Sequence, residues 1–369
     1  MHFAPNELLA QDAMVNELLR PFADFLGIPG ATEIVANRPG EVFVEAGPLW
    51  TRYAAPTLTL QRCWSLANAV ASYTSRHVDA GSPLLSAQLP GGQRIQIIVP
   101  PAVERDTVSI TIRIPDSATR SFSQYEEEGF FSRYLWPRPP ADASRRACLK
   151  PVQHRLLEHL EQNRFSQFLS LAVQAKQNIV FVGDTGSGKT SLMKAACQFI
   201  PRDERLVTIE DVRELNLDQH DNRVHLLYAK ADQSQARVTP ADLIAAAMRM
   251  KPDRVLLAEL RGGEAFDFLK LLTTGHSGSI SSFHAESCTL ALERYVFMCK
   301  EHEHAGIYDA AALKRLVALT IDVIIHIGVE RTFDEQGEPQ RKTRFVSEVH
   351  FDPVSKLHAR FGDAALYQA

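Results

Sequence analysis

The first residues place Leu8, Val15, Leu18, Leu19, Phe22 and Phe25 near helical spacing, with Glu7, Asp12, Glu17 and Asp24 on the opposite face. That pattern predicts an acidic amphipathic helix packed on its own domain. Between 33 and 113 the period shortens. β-rich runs at 33–37, 41–45, 50–54, 94–99 and 108–113 alternate with turn signals such as Pro39-Gly40 and Gly91-Gly92, and one helical stretch at 60–73 interrupts them. This region reads as a small α+β domain. Around 136–146 proline, small residues and arginine replace both periods, which predicts a linker at 138–152 between an N-terminal domain of 1–137 and a C-terminal domain of 153–369. Beyond the linker, apolar runs at 178–183, 206–211, 254–260 and 278–284 alternate with helical text at 191–200, 241–250 and 264–272. The alternation predicts an α/β domain with a largely parallel sheet, helices on both faces and a ligand site at the carboxyl ends of the strands.

Composition changes this picture little. A length of 369 residues favours two domains. The net charge of −4 supplies no global basic field to recruit nucleic acid or an anionic membrane. The cysteines Cys63, Cys148, Cys197, Cys288 and Cys299 are scattered, without a C-x-x-C pair or a signal peptide, so reduced thiols in a cytosolic protein are expected. The apolar stretch at 316–329 is broken by Asp322 and His326 and is too short to span a bilayer.

Candidate chemistry begins at Gly183-Asp184-Thr185-Gly186-Ser187-Gly188-Lys189-Thr190, which fits G-x-x-x-x-G-K-[ST] after an apolar strand. Gly186 and Gly188 let backbone amides turn toward phosphate oxygens, Lys189 adds a point charge for the β- and γ-phosphates, and the Thr190 hydroxyl suits Mg²⁺. Ser191 opens the following helix, whose N-terminal dipole adds to the anion site. Hydrolysis of a bound nucleotide also needs a carboxylate to direct water. Glu210 and Asp211 close one strand and Glu259 closes another, so their ends converge beside the loop. Downstream, His276 and His284 flank a glycine-containing strand, and either imidazole can donate to a γ-phosphate oxygen. The Glu301-His302-Glu303-His304 cluster reads as a solvated helix end.

Together the phosphate loop, Thr208-Ile-Glu-Asp-Val-Arg-Glu-Leu215, Leu256-Leu-Ala-Glu-Leu-Arg-Gly-Gly-Glu-Ala265 and Thr274-Gly-His-Ser-Gly-Ser-Ile-Ser-Ser-Phe-His-Ala285 resemble the Walker A, Asp, Walker B and His boxes of the secretion traffic ATPases. Within that superfamily the chain is similar to the VirB-type ATPases of bacterial type IV secretion. The motifs Ala247-Met-Arg-Met-Lys-Pro-Asp-Arg-Val, Asn37-Arg-Pro-Gly-Glu-Val, Ser109-Ile-Thr-Ile-Arg113 and Glu128-Gly-Phe-Phe131 carry that likeness. Ser282 and Ala258 depart from the threonine and glycine usual in the family, and each keeps the hydroxyl or the small size of the residue it replaces.

The resemblance implies a RecA-like P-loop domain, a cytoplasmic homo-hexameric ring of two tiers, and ATP with Mg²⁺ between the domains of a subunit. By position it implies phosphate binding by residues 183–191 and a catalytic carboxylate at Glu259, with Glu210 overlapping that role. Both carboxylates join Thr190 as metal candidates. It implies a phosphate-sensing His284 and an N-terminal arginine, Arg113, that reaches the nucleotide. Arg237 and Arg249 are further candidates for phosphate contact or communication between subunits. Other type IV subunits, including the inner-membrane ATPases and the coupling protein, are the implied partners, with peripheral attachment to the inner membrane and DNA or protein as indirect cargo. A type II secretion or type IV pilus motor is the alternative within the superfamily, and a nucleotide-gated scaffold is the alternative outside catalysis.

Overall fold

The computed structural model describes residues 5–114, 120–228, 238–337 and 339–361. Two compact units divide the chain: 1–117 with 229–239 and 330–342 form one, and 118–228, 240–329 and 343–369 form the other.

The first unit is built on six strands: β1 (Ala31–Ala36), β2 (Gly40–Ala46), β3 (Leu49–Ala55), β4 (Leu84–Gln88), β5 (Arg94–Ile98) and β6 (Ser109–Arg113). They form an antiparallel sheet in the order β3-β2-β1-β6-β5-β4. Alternate residues such as Ile95, Ile97, Ile110 and Ile112 are buried, as expected of a sheet with one covered face. The helix Leu60–Tyr73, capped by the Thr59 hydroxyl, packs into that core with Val15, Leu19 and Phe22 from the N-terminal helical segment. β4 went unread in the sequence because Leu84-Leu-Ser-Ala-Gln carries little β propensity, and an edge position tolerates that. Lys342 also belongs to this unit and pairs with Glu45 at 2.8 Å, both side chains largely shielded.

The second unit carries β7 (Ile179–Gly183), β8 (Leu206–Glu210), β9 (Arg223–Leu227), β10 (Arg254–Leu257), β11 (Ile280–Phe283), β12 (Val323–Phe333) and β13 (Pro339–His350), although the outer parts of the last two strands fall in the first unit. The sheet order is β13-β12-β7-β11-β10-β8-β9, with every pair from β12 to β9 parallel. All positions of β7, β8, β10 and β11 are buried. Ile179 and Phe181 enter one core with the helices Phe165–Gln174 and Lys189–Cys197, while Val180 and Val182 enter a second with Glu264–Thr273 and Cys288–Lys300. This is the α/β architecture expected of continuous apolar strands alternating with helices.

The sequence puts the change of domain at 138–152, whereas the compact units divide near 117. The reason lies in the aromatics ahead of the proline-rich stretch. Tyr125, Phe130 and Phe131 are buried in the core of the second unit, with Phe122, Tyr134 and Trp136 packed against it. Phe131 stacks on Phe122 and meets Phe165 at 4.7 Å, and the Trp136 indole N–H donates to the Phe351 carbonyl. Rings of this size bring too much apolar surface for an exposed connector.

Candidate active site

Parallel pairing in register carries β7, β11, β10 and β8 to one edge of the sheet, where Gly183, His284, Glu259 and Glu210 follow or end the strands. The loop after β7 turns on glycines: φ is +148° at Gly183, +70° at Gly186 and +97° at Gly188. At Gly183 a Cβ would lie 2.5 Å from the Ile327 carbonyl oxygen on β12 and 2.9 Å from Ser187 Oγ, so only hydrogen fits. Gly188 caps the helix Lys189–Cys197 without any side-chain bond, leaving the first-turn amides directed at the loop. Ser187 Oγ is buried and has no hydrogen-bond partner among the described residues. Unsatisfied donors around a cradle closed to side chains suit an anion such as a phosphate. Asp184 and Thr185 are exposed at the loop tip, and Thr190 and Ser191 are half-buried in the first helical turn.

Lys189 is 7% exposed, and its ammonium donates to the Gly183 and Asp184 carbonyls at 2.8 and 2.7 Å. It also lies 3.2 Å from His284 Nδ1. An ammonium only donates, so Nδ1 accepts and the ring proton sits on Nε2. Nε2 is 3.1 Å from Glu259 Oε1 and donates to it. The other oxygen of Glu259 receives Arg261 Nε at 2.8 Å and Nη2 at 2.6 Å, and Arg261 Nη1 continues to Asp211 Oδ2 at 2.8 Å. A continuous chain therefore runs from the phosphate loop through His284 and Glu259 to Arg261 and Asp211. Burial pushes the Glu259 carboxyl up, but the hydrogen bond from His284 and the charge and hydrogen bond of Arg261 outweigh it and hold the group at about 2.

Glu210 sits in different surroundings. Its carboxylate is 0% exposed. Oε1 accepts from the Thr208 hydroxyl at 2.8 Å and lies 3.2 Å from His225 Nδ1, while Oε2 accepts the Glu214 and Leu215 amides at 2.7 and 2.8 Å. Both oxygens are spent on the strand end and the turn that follows it.

The remaining sequence candidates fall elsewhere. His276 is half-buried and contacts Thr274. Arg249 is exposed just past the helix Pro240–Ala247. Arg113 lies on β6 of the first unit, half-exposed and 3.6 Å from Glu33. Arg237 lies outside the described residues. Ser282 uses its hydroxyl to bond the Ala258 carbonyl at 2.7 Å, tying the ends of β11 and β10 together. His302 is engaged by Asp267 at 3.2 Å.

Three residues that touch the site were not singled out from the sequence. Arg261 is two positions beyond Glu259, and that short spacing at a strand end is a signal that could have flagged it. His225 stands on β9, an edge strand not predicted at all. Arg344 on β13 donates Nε to the Gly186 carbonyl at 2.9 Å, a contact spanning 158 positions that no local pattern announces.

Comparison with known proteins agrees with this geometry. The profile of a family described as Type II/IV secretion system protein matches residues 152–355. The chain is 42% identical over 346 residues to the type IV secretion system protein VirB11 of Brucella suis, covering 93% of this chain and 92% of that one. It is 41% identical over 326 residues to the type IV secretion system protein PtlH of Bordetella pertussis, covering 85% and 90%. Its structure is similar to that of the VirB11 ATPase of the Brucella suis type IV secretion system in complex with sulphate, with a TM-score of 0.51 at 40% identity over 96% of this chain and 99% of that one.

Proposed function

The chain belongs to the type II/IV secretion system protein family, among the VirB11-like ATPases of type IV systems, and from that premise we propose how its own residues couple ATP hydrolysis to substrate transfer or pilus biogenesis. The observation that carries the reading is the chain Lys189–His284–Glu259–Arg261, which joins a phosphate loop to an ionised carboxylate at the edge of a parallel sheet.

The orphaned Ser187 hydroxyl and the glycine cradle fit the phosphates of ATP. Residues 183–191 bind them through backbone amides, and Lys189 exchanges loop carbonyls for phosphate oxygens. Thr190 would offer its hydroxyl to Mg²⁺ and Glu259 a carboxylate on its side, and the ion would supply charge neutralisation at the phosphates. Glu259 orients the attacking water rather than keeping its proton, because a carboxyl held at about 2 is far too weak a base to retain one near neutral pH. His284 shares Lys189 with the loop and Glu259 with the water, so a change at the phosphates is felt at the carboxylate. Glu210 supports this arrangement by holding the turn 211–215.

Arg113, Arg237 and Arg249 we assign to phosphate contact or communication between subunits of a homo-hexameric ring. An arginine reaching in from another domain binds only while phosphate charge is present, which is what converts nucleotide state into domain motion. Among the described residues no helix is long and apolar enough to cross a membrane. We place the ring at the cytoplasmic face of the inner membrane, attached through other type IV subunits, including the inner-membrane ATPases and the coupling protein, with DNA or protein cargo reached through them.

Phosphate release by the purified full-length chain with ATP and Mg²⁺ tests the reading. Glu259→Gln should lower kcat by about 100-fold or more while a fluorescent ATP analogue still binds. Lys189→Ala should lose that binding. Native-rate hydrolysis by Glu259→Gln would sink the assignment, and full secretion by a variant that binds but does not hydrolyse ATP would favour a nucleotide-gated scaffold.

A further inference from the structure

Glu259 follows the end of β10, and its carboxylate is held by side chains, His284 on one oxygen and Arg261 on the other. Its geometry must come from its partners. Arg261 places two N–H groups of one guanidinium on Oε2, at 2.8 and 2.6 Å, and a third on Asp211 Oδ2 at 2.8 Å. A planar fork with donors in fixed directions sets both the position and the plane of its acceptor, which a point-charge ammonium does not.

Both ends of this fork are themselves braced. The Arg261 amide donates to Glu264 Oε1 at 2.6 Å, and the Gly262 amide donates to the same oxygen at 3.1 Å, which fixes the turn to the first residue of the helix Glu264–Thr273. Asp211 accepts the Val212 amide on its other oxygen at 2.9 Å, and the turn beyond it is clamped by Glu210. Arg261 thus joins the turn after β8 to the turn after β10. With Oε2 filled, the side of the carboxylate left for water is Oε1, where His284 Nε2 at 3.1 Å takes one acceptor direction.

We propose that Arg261, anchored by Asp211, is the positioning residue that fixes the Glu259 carboxylate for water, so that Asp211 acts on hydrolysis only through Arg261. The inference rests on the assignment of Glu259 made above. Arg261 is 39% exposed and its partners less so, so the triad lies at the rim of the site rather than in the core and can be altered without opening the fold.

The test is steady-state ATP hydrolysis by the full-length chain in the native, Arg261→Ala, Arg261→Lys, Asp211→Asn and Glu259→Gln forms, together with the Arg261→Ala/Glu259→Gln double variant. Arg261→Ala should reduce kcat roughly 10- to 100-fold with KM for ATP within about threefold, the pattern of a displaced catalytic group. Arg261→Lys should restore kcat only in part, since the charge returns without the fork. Asp211→Asn should lose about threefold to tenfold in kcat. The double variant should be no slower than Glu259→Gln alone, because a residue that acts only through Glu259 has nothing left to position.

Losses that multiply in the double variant, or an Arg261→Ala enzyme with native kcat, overturn the inference while the assignment of Glu259 stands. An active Glu259→Gln overturns that assignment instead. Thermal melts and analogue binding confirm folding, and should Arg261→Ala fail to fold, Arg261→Lys and Asp211→Asn carry the same kcat-against-KM comparison.

Discussion

Replacing Glu210 separates the work of the two carboxylates, because alanine and glutamine remove different things from its buried site. In Glu210→Ala the amides of Glu214 and Leu215 lose their acceptor, while the Thr208 hydroxyl and His225 Nδ1, 2.9 Å apart, keep each other as partners. Leu215 is fully buried, so its amide bears the full cost of an unmet donor, while the Glu214 amide is only part-buried. At about 1–3 kcal/mol for each buried donor left unmet, the variant should lose roughly 3–5 kcal/mol. That is a large share of the ~5–15 kcal/mol that holds a domain folded. For a unit of this size each kcal/mol moves Tm by about 2–4 °C, so a fall on the order of 10 °C is expected in a calorimetric or circular-dichroism melt. Glutamine keeps one oxygen for the two amides and turns its NH₂ toward Thr208 and His225, which rearranges two polar groups at a cost of about 1 kcal/mol. Glu210→Gln should therefore melt within a few degrees of the native chain and hydrolyse ATP within about threefold of it. The opposite pattern, a native Tm for Glu210→Ala or a Glu210→Gln enzyme as inactive as Glu259→Gln, would refute a supporting role and make Glu210 part of the reaction itself.

At Gly183 an alanine Cβ would meet backbone at 2.5 Å, so Gly183→Ala should weaken ATP-analogue binding by at least about tenfold and cost ~2–4 kcal/mol; unchanged affinity in a fluorescence titration would contradict the close approach of β12. The Glu259 carboxyl is held below its ordinary value of 4.5, at about 2, so its contribution to stability is complete above 4.5 and is lost as pH falls toward 2. The stability difference between the native chain and Glu259→Gln, from urea melts, should be constant above about pH 5 and shrink below 4.5; a difference that grows on acidification would reverse the sign of the argument. Burial pushes the Cys63 thiol up to about 11 and those of Cys197 and Cys299 to about 12, and raises Cys288 as well, while Cys148 alone is half-exposed. A chromogenic thiol titration should find one reactive cysteine in the native chain and all five in denaturant, and Cys148→Ser should abolish the native signal.

The parts of this molecule that could be read from the chain are those whose chemistry is local. Gly183, Gly186, Gly188, Lys189 and Thr190 are neighbours in sequence and in space, because a tight phosphate turn demands those residue types at that spacing. Glu210, Glu259 and His284 were placed by a topological rule, since strands buried on both faces are parallel and share one carboxyl edge. Their different duties were not legible. Whether a strand-end carboxylate faces the loop or its own turn depends on which amides and side chains lie within about 3 Å, and Glu210 and Glu259 meet different sets. Arg344 shows the limit most plainly, because its contact with Gly186 depends on β13 being laid beside β12, an edge pairing its polar sequence hardly betrays. The domain boundary was displaced for a similar reason: proline and arginine mark an irregular path, but the aromatics just before them choose the core they join.

The ion pair between Lys342 and Glu45 reaches across 297 positions inside the first unit. A ribosome releases the antiparallel sheet early, yet the stretch 330–342 that belongs with it emerges only when the second unit is almost entirely synthesised. The amino-terminal unit is thus among the last to be completed, and Glu45 waits for its partner through most of translation. Vectorial folding, N-terminal domain first, is the ordinary course for a two-domain chain. Here the first unit closes by a late return of the chain, and no single cut would yield two self-sufficient halves.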